Sequence, residues 1–70
     1  MPDIPVWRIE NKISGIGFDF EGDLLSACRK AIDQCTTESS VWCVWELPEN
    51  IKVAEATLRG VRWYKKGYQP

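Results

Sequence analysis

The chain has 70 residues, of which 44% are hydrophobic and 27% charged, and its net charge is −1. That balance excludes an intrinsically disordered polymer, and no apolar run approaches the roughly 18 residues of a membrane-spanning helix. The opening MPDIPVW lacks the basic segment and apolar stretch of a secretory signal. The expectation is one small domain over residues 1–70, soluble and cytoplasmic.

IPVWRIE (4–10) reads as a first strand, with Trp7 and Ile9 on one face and Val6, Arg8 and Glu10 on the other. After a turn at Asn11 and Lys12, ISGIGFDFE (13–21) alternates again, setting Ile16, Phe18 and Phe20 against Gly17, Asp19 and Glu21. The two strands form a predicted hairpin, in which Gly15 and Gly17 mark a bulge or a close backbone approach.

Residues 23–35 are the clearest helix. Asp23 is a good N-cap, and Leu24, Ala27, Cys28, Ala31 and Cys35 recur at helical spacing, with Leu25 and Ile32 widening the stripe. TTESS (36–40) is a loop, VWCVWEL (41–47) a strand, and Pro48 closes it. ENIKVAEATLRG (49–60) is ambiguous. It alternates weakly, whereas Asn50 as a cap, a stripe of Ile51, Ala54 and Leu58, and a terminal Gly60 favour a helix over part of it. VRWYKK (61–66) is the last strand.

The order β-β-α-β-(α)-β predicts an α+β fold: a small antiparallel sheet with one principal helix packed on one face. The strand at 41–47 is apolar on both faces, with Val41, Cys43, Trp45 and Leu47 on one and Trp42, Val44 and Glu46 on the other. One helix covers one face. The expectation is that the helix packs on the Trp45 face. Trp42 and Val44 then stay exposed as the centre of a protein interface, with a second copy or a target protein.

Catalytic chemistry finds little support. The chain has no histidine to act as a base for a serine or cysteine nucleophile. FDFEGD resembles the start of a calcium loop, but Lys30 stands where the closing glutamate belongs. GIGFDF ends on Phe20 where a dinucleotide fingerprint needs glycine. Cys28, Cys35 and Cys43 have neither CxxC spacing nor a fourth ligand, and read as reduced core residues. No cofactor, metal or small-molecule substrate is indicated.

Charge is unevenly placed. Residues 1–58 hold all ten acids against five bases, whereas 59–70 hold Arg59, Arg62, Lys65 and Lys66 and no acid. In a strand, Arg62, Tyr64 and Lys66 point one way and Val61 and Trp63 the other. That outward row suits single-stranded nucleic acid or an acidic protein partner, and lysine and arginine also guard edge strands against pairing. The size, acidic surface, aromatic content and short strand–helix–strand plan are similar in style to small phage- or prophage-encoded proteins that bind and inhibit a host factor. No residue motif carries the likeness. The expected function is a non-catalytic binding protein that inhibits or modulates another macromolecule, with a nucleic-acid-binding module using Arg59, Arg62, Tyr64, Lys65 and Lys66 as the alternative.

Overall fold

A computed structural model describes residues 4–64. Its elements are β1 (Val6–Asn11), β2 (Gly17–Glu21), α1 (Leu24–Gln34), β3 (Trp42–Glu46), β4 (Ile51–Thr57) and β5 (Gly60–Trp63). The five strands form one antiparallel sheet in the order β2-β1-β3-β4-β5, with α1 packed on one face. The α+β architecture is as the sequence predicts.

The hairpin forms because Asn11 organises its turn. The Asn11 side-chain carbonyl accepts from the amides of Ile13 and Ser14, both at 2.9 Å, and Gly15 takes a left-handed φ of 77°. Gly17 is the close approach: a Cβ there would lie 2.6 Å from the Ile9 carbonyl oxygen. Asp23 caps α1 by accepting from the Ser26 amide at 2.7 Å.

α1 lays Ala27, Cys28 and Ala31 on a sheet face built from Trp7, Ile9, Val44, Val53, Ala54 and Ala56. Phe18, Phe20, Leu24, Ile32, Trp42, Val61 and Trp63 close the margins. Small residues on both sides of this seam let the helix backbone come close to β4, where the Cys35 thiol reaches the Ala56 carbonyl at 3.5 Å. The Trp7 indole donates to the Gly22 carbonyl at 2.8 Å, satisfying a buried polar group.

Two expectations are corrected. First, residues 51–57 are strand, not helix: β4 joins β3 to β5 and lies inside the sheet. Asn50, read as a helix cap, has φ 63° in the β3–β4 turn, and Gly60, read as a helix terminator, has φ 134° where β5 begins. Second, the helix covers the other face of β3. Val44 is wholly buried and Trp42 packs on the core beneath α1, its ring 6.3 Å from that of Phe18. Register decides this, because Ile9 pairs with Val44 and Val44 with Ala54, so the β1 core face and the Trp42–Val44 face are one. Trp42 and Val44 are therefore not an open surface in the folded chain. Trp45 is on the uncovered side.

Candidate binding surface on the uncovered sheet face

The face opposite α1 is built in two rows. Asp19, Arg8, Trp45 and Lys52 are successive partners in one, and Glu10, Cys43, Glu55 and Arg62 in the next. Lys52 and Glu55 are three residues apart and would face opposite sides of a regular strand. A bulge between Val44 and Trp45 shifts the pairing so that Lys52 meets Trp45 while Glu55 meets Cys43. The extra residue, Val53, turns inward to the core with Ala54.

Glu55 is the hub. It is 6% exposed although no helix covers it, because its neighbours close over it. Its carboxylate takes Lys12 at 3.3 Å, the Lys52 ammonium at hydrogen-bonding distance, and the Cys43 thiol at 3.8 Å. Burial pushes this carboxyl up, but hydrogen bonds from Lys52, Tyr64 and Lys12 reverse the effect and hold it at about 2. Its hydrogen bond with Glu55 raises the Lys52 ammonium in turn. Burial raises the Cys43 thiol, so it stays protonated and donates.

Tyr64 lies over this cluster. The Lys52 ammonium is 4.6 Å and the Arg62 guanidinium 5.7 Å from its ring centre. At the β1 end, Arg8 bridges Glu10 at 3.1 Å and Asp19 at 3.8 Å. Beside β5 an open groove of about 410 Å³ is lined by Val41, Glu55, Thr57, Arg59, Gly60 and Arg62, among others. Among the described residues, Arg59 and Arg62 meet no carboxylate, in contrast to Arg8, Lys12 and Lys52.

Of the residues singled out in the sequence, Arg59, Arg62 and Tyr64 are brought together at this end of the sheet, and all three are exposed. Lys65 and Lys66 lie outside the described residues. Val61 and Trp63 face the helix side, as alternation predicts. Glu55, Lys12, Lys52 and Trp45 were not anticipated as parts of this surface, because the bulge that sets Lys52 and Glu55 on one face is silent in the residue pattern.

Among the described residues no group of three or more His, Cys, Asp or Glu side chains is placed to hold a metal ion, and no helix is long and apolar enough to cross a membrane. No family model, curated protein or solved structure matches the chain. The functional reading accordingly rests on the geometry alone.

Proposed function

We propose that this chain is a small, non-catalytic, cytoplasmic binding protein that docks the basic end of its uncovered sheet face on an acidic surface of another protein, inhibiting or modulating that partner. The observation that carries this reading is the pair Arg59 and Arg62. They stand beside an open groove with no carboxylate to satisfy them among the described residues, next to an exposed tyrosine, on a side that α1 leaves uncovered. Arginine and tyrosine are the residue types that concentrate binding energy at interfaces. The acid that lines the same groove, Glu55, is already neutralised by two lysines and does not compete for them.

The nucleic-acid alternative draws on the same residues, since cations beside an aromatic ring hold single strands. The geometry favours it less. The exposed Tyr64 ring already carries the Lys52 and Arg62 cations, which occupy ring surface that a stacked base would need.

Affinity capture from extracts separates the two. The unaltered chain and an Arg59→Glu/Tyr64→Ala variant serve as baits, with and without nuclease. A protein held by the unaltered chain after nuclease, and lost by the variant, is the expected result. Capture that vanishes with nuclease supports the nucleic-acid alternative. A partner retained equally by both baits refutes this surface.

A further inference from the structure

The two edges of the sheet carry matching chemistry. On β2, Phe18 and Phe20 face the helix side while Asp19 and Glu21 face the open side. On β5, Val61 and Trp63 face the helix side while Arg62 faces the open side. The four apolar side chains are only half-buried, because each lies at a sheet margin. Asp19 leaves 62% of its side chain exposed.

The backbone matches as well. The Asn11 amide donates to the Ile16 carbonyl at 2.8 Å. By strand alternation the polar groups of Phe18 and Phe20 then point to β1, and those of Gly17, Asp19 and Glu21 point outward. At the other edge the Tyr64 amide donates to the Val53 carbonyl at 2.9 Å, which turns Arg62 toward β4 and leaves Val61 and Trp63 pointing outward.

In a sheet ordered β2-β1-β3-β4-β5 with every neighbour antiparallel, β2 and β5 run in the same direction. A second copy laid alongside in the same orientation therefore offers its β2 parallel to β5. In that register Val61 bonds to Gly17 and Asp19, and Trp63 bonds to Asp19 and Glu21. Val61 then sits beside Phe18, Arg62 beside Asp19, and Trp63 beside Phe20. Apolar meets apolar on the helix side and opposite charges meet on the open side. The two symmetric pairings fail by the same criterion, since β5 on β5 opposes arginines and β2 on β2 opposes carboxylates.

We propose that the occupant of the β5 edge is a second copy of this chain, joined through β2, so that copies associate head to tail. The contact is heterologous, and each added copy leaves one edge of each kind open. It shares Arg62 with the partner-docking reading, whereas Arg59, Lys52 and Tyr64 take no part in it, so Arg59→Glu/Tyr64→Ala should leave the association of copies intact.

Sedimentation velocity on the full chain tests it. At low salt the mass should climb with concentration from the 8.0 kDa monomer and fall back as salt is raised. Arg62→Glu and Asp19→Lys should each weaken association by about tenfold, because an attractive cross-strand pair becomes a repulsive one. Mixing the two variants should restore it, since the reversed β5 edge of one then matches the reversed β2 edge of the other. Circular dichroism checks that both fold. If either does not, Arg62→Gln and Asp19→Asn replace them, each weakening association without rescue on mixing. A monomer at every concentration and salt overturns the proposal and leaves the edge charges as guards against pairing. Association that survives both single changes unaltered overturns it too.

Discussion

Glu55 has a folded-state carboxyl at about 2, below its ordinary 4.5. Its contribution to stability is therefore fully present above about 4.5 and is lost as pH falls through about 2. Denaturant titrations across that range should show the unaltered chain losing stability. Glu55→Gln should lose less over the same interval while starting about 1–3 kcal/mol lower at neutral pH, since two lysines lose their charged acceptor. Equal acid sensitivity in both proteins refutes the hub. Trp45 presents the opposite situation, because its indole N–H is buried and finds no acceptor among the described residues. Removing that donor with Trp45→Phe should leave stability unchanged or raise it by about 1 kcal/mol in chemical denaturation. A large loss would show that ring size matters more than the unsatisfied group.

At the level of elements, β1, α1 and the outward row of β5 were legible because each has one apolar face at an unbroken period. β4 was not. Its bulge advances the side-chain phase by one residue, so the core positions Val53, Ala54 and Ala56 lose strand alternation. The stripe of Ile51, Ala54 and Leu58 that favours a helix has only Ala54 in the core, Ile51 and Leu58 being exposed. The face of β3 under α1 was equally illegible, for Trp42/Val44 and Cys43/Trp45 are apolar alike and only pairing with Ile9 and Ala54 distinguishes them. The basic end of the candidate surface could be read from charge, whereas the Glu55 cluster needed the bulge. Two local features can be tested directly. Asp23→Ala should cost about 1 kcal/mol by removing the cap of α1. Gly17→Ala should cost roughly 1–3 kcal/mol, because the atom its Cβ meets at 2.6 Å is a backbone oxygen that cannot rotate away. A neutral result in thermal melts of either variant refutes the corresponding contact.

For the molecule as a whole, cohesion comes from one small core that includes Cys28, and Cys35 and Cys43 are also buried as free thiols, Cys43 against Glu55 on the uncovered face. Burial holds the Cys28 thiol at about 11 and also raises Cys35 and Cys43, so thiolate is scarce at neutral pH. Reductant and chelator should leave the melting temperature unchanged, and a shift with either would reveal a crosslink or bound ion. The order of the strands has a consequence in time. β1–β2, β3–β4 and β4–β5 are joined by short turns, whereas β1 and β3 meet only after the intervening hairpin turn, β2, α1 and the following loop have been brought round. Closing that seam carries the largest loop entropy in the molecule. The rate of folding should therefore depend on Ile9 and Val44, which meet across it. In stopped-flow chevrons, Val44→Ala should slow refolding, while Val61→Ala at the far margin should mainly speed unfolding. The reverse pattern would mean that the meander of β3, β4 and β5, not the β1–β3 seam, sets the pace.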